Sequence, residues 1–281
     1  MSHPVVYICR QMTNMSWMAV VDPRVILTIA VDGNADVSSL TLLNNELYLL
    51  RVRDQLNQVD VYSTTGTLLR QLSVLGAAGD SLQDMTACSH KQCIYISNEA
   101  DSCIHRLGLD GSETRWPVAH APFTLSVTRS RDLLVTCYDD GILLMLNADS
   151  GDCIGMIKPD VVPDLQLSHS IEVDNGKYVT CFSIDDDDGE LTHLDIDGTV
   201  LRSSHIEVEL ARPWHMAVDS DLFLFVANLA SRRIMLFDPS LNYVRDIMDR
   251  LDRPPHSLCY DDLTRRLYVG QCDGSVLAIQ L

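Results

Sequence analysis

The strongest constraint on this chain is a period. An apolar residue opens a short run at Leu40, Met85, Leu125, Ile171, Met216 and Leu258, at separations of 45, 40, 46, 45 and 42 residues. A second run follows each anchor: ELYLLRV (46–52), QCIYIS (92–97), DLLVTC (132–137), KYVTCF (177–182), LFLFVA (222–227) and RLYVGQ (266–271). These runs are rich in β-branched and aromatic residues, which favour strands. A third run comes next, for example VDVYS (59–63) and RIMLFD (233–238), and the first five repeats add a turn and a fourth strand. Asp110-Gly111, Asp140-Gly141, Asn175-Gly176, Asp197-Gly198 and Asp273-Gly274 punctuate the strands as turns. No long segment carries a helical period, so the chain reads as all-β. Four strands in each repeat of this length make a propeller blade.

The sequence therefore predicts one domain over residues 1–281, a six-bladed β-propeller with four-stranded blades starting near 38, 83, 123, 169, 214 and 256. The sixth repeat ends after its third strand, at Leu281. Its fourth strand is expected from residues 25–31, VILTIAV, which closes the ring and leaves no open sheet edge. Residues 1–21 have no place in this scheme.

Charge and cysteines narrow the function classes. Acidic residues outnumber basic ones by 39 to 21, a formal charge of −18. Such a field repels polyanions and argues against DNA and anionic membranes as partners. No apolar run reaches the roughly 18–20 residues of a membrane helix. The nine cysteines form no pair of CxxC knuckles, so a zinc finger is not expected. Their odd number, with no secretory signal in the first residues, points to free thiols in a reducing, cytoplasmic setting. Only three of the basic residues are Lys, and the Arg excess supplies planar forks that bind carboxylates.

Residues 212–247, RPWHMAVDSDLFLFVANLASRRIMLFDPSLNYVRDI, resemble an NHL repeat: a Pro, the AVD segment, the FVA strand, a polar stretch and RRIMLFD. The last repeat from Arg253 matches less fully. The resemblance covers about residues 38–281 and is to the C-terminal propeller of tripartite-motif ubiquitin ligases. It implies a target-recognition module binding protein or RNA. The zinc-binding RING and B-box that would confer ligase activity are absent from the sequence given.

Alternating strand direction puts the loops that enter each blade (d–a) and the b–c loops on one face, and the a–b and c–d turns on the other, where tight turns such as His90–Lys91, Asn44–Asn45 and the Asp-Gly pairs are expected. The first face gathers Arg51, Arg212, Trp214, His215, Asn228, Arg232, Arg253 and His256, the expected partner-binding residues. The expected function is non-enzymatic recognition of a protein or peptide, by a domain that is monomeric in isolation, in a ubiquitin-ligase-like assembly. RNA binding is the first alternative; it requires a basic face, which the net charge opposes. The second is a metal-dependent lyase or lactonase with an ion at the pore mouth. For zinc the candidate ligands are His169, His215 and His256, nearly in register in the repeat. For calcium they are Asp185, Asp187 and Glu190 in an acidic run that lacks EF-hand spacing. No cofactor is expected otherwise, and no P-loop, GxSxG or GxGxxG motif marks a catalytic site.

Overall fold

The computed structural model describes residues 22–31, 36–53, 56–74, 81–160, 166–183, 188–204 and 209–281, and residues 1–21 lie outside them. Among the described residues, twenty-four strands form six four-stranded antiparallel sheets. Blade 1 is β2 (Asp36–Leu43), β3 (Glu46–Arg53), β4 (Leu56–Ser63) and β5 (Leu68–Ser73). Blade 2 is β6 (Leu82–Cys88), β7 (Cys93–Asn98), β8 (Cys103–Gly108) and β9 (Glu113–Pro117). Blade 3 is β10 (Thr124–Val127), β11 (Leu133–Cys137), β12 (Ile142–Leu146) and β13 (Cys153–Ile157). Blade 4 is β14 (Gln166–Asp174), β15 (Lys177–Ser183), β16 (Gly189–Asp195) and β17 (Val200–Ser203). Blade 5 is β18 (Pro213–Val218), β19 (Leu224–Asn228), β20 (Arg233–Phe237) and β21 (Tyr243–Met248). Blade 6 is β22 (Pro255–Asp261), β23 (Arg266–Gln271) and β24 (Val276–Gln280), with β1 (Arg24–Ile29) on its outer edge.

The closure expected from the sequence is present. Thr28 lies opposite Leu277 and Ile29 opposite Val276, so the amino-terminal strand completes the last blade. Ile29 then packs with Val276 and Ala278 of blade 6 and with Val37 and Leu47 of blade 1. The closing strand thus also cements a blade-to-blade seam.

The core lies between blades, because each sheet has two faces and each meets a neighbour. Strand b is its most apolar element. Tyr48, Tyr95, Tyr178, Phe225 and Tyr268 occur at matching positions of it and are fully buried. The turns also behave locally as their chemistry demands. Gly198 adopts φ +86°, and a Cβ there would stand 2.3 Å from the carbonyl oxygen of Lys158, which leaves only glycine. One expectation needs correction. Not all Asp-Gly pairs belong to the turn face: Asp140-Gly141 and Asp273-Gly274 fall between strands b and c, on the face of the long loops.

Candidate functional site: the pore mouth

Six inner strands surround the pore, and polar side chains tie them in a ring. In five of the six junctions a side chain accepts the amide of the next blade's apolar anchor. Ser257 Oγ takes Leu40 N at 3.1 Å, Ser39 Oγ takes Met85 N at 3.1 Å, and Asp84 Oδ2 takes Leu125 N at 2.7 Å. His169 Nδ1 takes Met216 N and His215 Nδ1 takes Leu258 N, both at 3.3 Å. Between blades 3 and 4 hydroxyls do the work: Thr124 and Ser126 donate to the carbonyls of Ser168 and Ser170, each at 2.8 Å. Inner-strand amides facing a pore have no sheet partner on that side, and this ring satisfies them.

Three members of the ring converge. Asp84, His169 and His215 are buried, with ligand-type atoms within 4.8 Å of one another. The two imidazoles stack with centroids 4.0 Å apart, and His215 Nε2 lies 3.7 Å from Asp84 Oδ1. Ser39 Oγ donates to the same carboxylate oxygen at 2.5 Å. Burial pushes the Asp84 carboxyl up, but the His215 contact, the fields of the two imidazoles and the Ser39 hydroxyl outweigh it and hold it at about 2. Burial and the neighbouring His215 push His169 well below its usual range, so it is neutral at pH 7.

The hydrogen bonds fix the tautomers. An Nδ1 that accepts an amide N–H is unprotonated, so each neutral ring carries its proton on Nε2. His169 faces the backbone of Leu125, and the His215 N–H faces Asp84. A metal would need lone pairs on those Nε2 atoms, and Nδ1 would then carry a proton against an amide N–H. The trio fits a carboxylate solvated by N–H donors and does not fit a metal cage.

His169 and His215 border a pore cavity of about 250 Å³, lined mainly by the anchors and the residues after them, among them Ala87, Val127, Val218 and Tyr260. Above it, on the loop face, sits an aromatic canopy. Trp214 of blade 5 meets Phe123 of blade 3 edge-on at 5.5 Å, Tyr138 at 6.3 Å and His256 of blade 6 at 5.5 Å. Phe123 and Tyr138 pack at 4.9 Å, and the Arg212 guanidinium stands 5.2 Å from the Trp214 ring centroid. Blades 3 and 5 are not adjacent, so Trp214 reaches across the pore. Trp214, Tyr138, His256 and Arg212 all keep part of their surface in solvent.

The residues expected at the site divide into groups. Arg212, Trp214 and His256 meet at the canopy. His215 lies beneath it with His169, but His256 does not join them: its Nδ1 donates to the Ser38 carbonyl at 2.8 Å. Asp84 takes the third place. Arg232 and Arg253 lie on exposed loops of the same face, Arg232 reaching the Asp252 carbonyl at 3.4 Å and Arg253 pairing with Asp273 at 3.4 Å. Arg51 is buried and pairs with Asp60 at 2.9 Å, so its charge is spent inside blade 1. Asn228 is also buried and donates to the Glu209 carbonyl at 3.1 Å, holding a loop. Asp185 and Asp187 lie outside the described residues, and Glu190 accepts from Thr192 Oγ1 at 3.1 Å.

Asp84, Phe123 and Tyr138 were missed, yet two of them had a signal in the repeat. Asp84 precedes Met85 as His215 precedes Met216. Phe123 follows Pro122 as Trp214 follows Pro213 and His256 follows Pro255. The residue after the repeat's proline builds the canopy, and the next one builds the ring.

Neither a protein-family model nor a curated protein sequence matches the chain. The NHL resemblance of residues 212–247 therefore has no family match behind it. Solved structures do match. A catalytically inactive virginiamycin B lyase from Staphylococcus aureus, with quinupristin, aligns with a TM-score of 0.66 and 13% identity over 90% of this chain and 83% of that one. A streptogramin B lyase aligns with a TM-score of 0.69 and 10% identity over 92% and 98%. A protein of unknown function from Bacteroides caccae aligns with a TM-score of 0.52 and 15% identity over 62% and 69%. At these identities the likeness is one of fold: this chain is a six-bladed β-propeller with lyases among its structural neighbours.

Proposed function

We propose that this propeller is a recognition module that captures a peptide or a protein loop across its pore mouth. The observation that carries the reading is the canopy: Trp214, Tyr138 and His256 share one partly exposed apolar platform, with Arg212 at its edge. Aromatic and Arg side chains at the centre of a patch are what binding hot spots are made of. Arg212 borders the platform, Arg232 and Arg253 lie on the same face in blades 5 and 6, and their guanidinium groups suit acidic groups of a ligand. Glu99, Asp139 and Asp140 fill the b–c loops of blades 2 and 3 on the same face, which favours a peptide of mixed charge over RNA. A role as the target-binding part of a ubiquitin-ligase-like assembly follows from the resemblance of residues 212–247 and belongs to this reading.

The test is selection from a phage-displayed random peptide library on the immobilised protein. Enriched peptides should lose at least about tenfold in affinity against Trp214→Ala, in keeping with a hot spot of roughly 1.4 kcal/mol or more. Enrichment that survives Trp214→Ala and Arg212→Ala alike would sink the proposal.

A lyase is the second reading, favoured by the convergence of Asp84, His169 and His215 in the pore of a fold that lyases share. A metal-dependent version predicts that Zn²⁺ or Mg²⁺ raises the melting temperature through the trio, by the linkage of binding to stability. With both Nδ1 atoms committed to amides, we expect no rise that His215→Ala abolishes.

A further inference from the structure

A second constellation lies on blade 2, away from the pore, and the mouth has no use for it. Cys103 opens β8, and its Sγ stands 3.6 Å from His105 Nε2. His105 Nδ1 stands 3.0 Å from Glu113 Oε1 on β9. Residues 103 and 105 share a face because side chains alternate along a strand, and Glu113 is near because β9 runs antiparallel to β8, with His105 opposite Arg115. The tautomer is again set by the partners. Glu113 is an acceptor, so Nδ1 carries the proton and the Nε2 lone pair faces the thiol and the amide of Asn98, at 3.4 Å. Arg115 Nε donates to Cys103 Sγ at 2.9 Å, and its guanidinium also reaches Asp101 at 3.4 Å.

Nucleophile, base and orienting carboxylate stand in the sequence that activates a thiol by proton transfer, with a fixed cation beside the sulfur. Burial raises the thiol and Arg115 lowers it, with burial ahead, so the resting form is S–H and the base is needed. Access selects the substrate. Cys103 is 1% exposed, whereas Arg115, which lies over it, is 47% exposed in its side chain. Burial this deep suits a small electrophile of the size of hydrogen peroxide.

We propose that Cys103 is a peroxide-reactive cysteine, with His105 as its base, Glu113 as the positioning residue for that base, and Arg115 as the cation that stabilises charge on sulfur. Sγ attacks the nearer oxygen of hydrogen peroxide while its proton passes to His105 Nε2. The O–O bond breaks, and the leaving hydroxide takes the proton from His105 to become water. Sulfur is oxidised to the sulfenic acid and peroxide is reduced. Two other buried thiols, Cys137 and Cys181, differ in their setting. Cys137 and Cys181 are pushed up to about 12 by burial, and Cys181 donates to the His169 carbonyl rather than to a base.

The test compares thiols within one folded molecule. The folded protein is treated with hydrogen peroxide for timed intervals, then unfolded in dimedone, which traps the sulfenic acids formed, and mapped by peptide mass spectrometry. Adduct at Cys103 should form at least about tenfold faster than at Cys137 or Cys181, since base assistance is commonly worth about 10²–10⁴. In His105→Gln the Cys103 rate should fall to that of Cys181. Glu113→Gln should give a partial loss. Equal rates at Cys103 and Cys181 in wild type would overturn the proposal, as would an unchanged Cys103 rate in a folded His105→Gln protein. If His105→Gln does not fold, the wild-type comparison and Glu113→Gln decide.

Discussion

Among single residues, Asp219 has the most to say about conditions. It is buried in the a–b turn of blade 5, where its Oδ1 accepts the amides of Asp221 at 3.0 Å and Phe223 at 2.8 Å. Burial pushes its carboxyl up; the amides oppose this, but the charges of Asp221 and Asp262 add to it, and the result is about 7. A carboxyl raised on folding contributes stability that is fully present below its unfolded value and is lost as pH rises through the folded one. Asp219→Asn keeps the acceptor and removes the charge. It should match wild type near pH 4 and exceed it at pH 8 by about 2 kcal/mol, after allowance for residual solvation. Urea unfolding at the two pH values measures this, and a gap that does not widen with pH rules it out. Asp84 and His169 work in the opposite direction. Their folded values are lowered, so what they contribute is lost as pH falls, His169 first and Asp84 below about 4.

For the elements, the informative case is β1, because its pairing partner lies at the far end of the chain. Its inward residue Ile29 is 5% exposed, while Val25 on the same strand is 44% exposed. Ile29→Ala should cost about 2–4 kcal/mol by opening a cavity at the seam of blades 6 and 1, and Val25→Ala should cost less than about 0.5 kcal/mol. Equal costs in thermal or denaturant unfolding would mean that the strand does not clasp the ring as described. The strands themselves were largely readable in the sequence, since alternation, β-branched runs and turn glycines are local signals. The assignment of Asp140-Gly141 and Asp273-Gly274 to the wrong face shows the limit. A dipeptide marks a turn but not which pair of strands it joins.

For the whole molecule, the period in the sequence is enough to determine a closed six-bladed ring, because each blade buries both faces only against neighbours and the ring leaves no sheet unpaired. The same frame put Arg212, Trp214, His215 and His256 near one mouth. It did not say that Trp214 crosses to blade 3, that Arg51 is consumed by Asp60, or that His215 meets Asp84 while His256 turns to Ser38. Those facts depend on distances across the pore between strands far apart in the chain, and repeat register carries no information about them. The Cys103, His105 and Glu113 cluster is similar: alternation puts the first two on one face, but only the pairing of β8 with β9 brings the carboxylate to the ring. The sequence by itself determined the architecture, its closure and the loop face, because local pattern and periodicity encode them. Which side chains meet was decided only by the tertiary structure, because close packing selects partners by position in space and not along the chain.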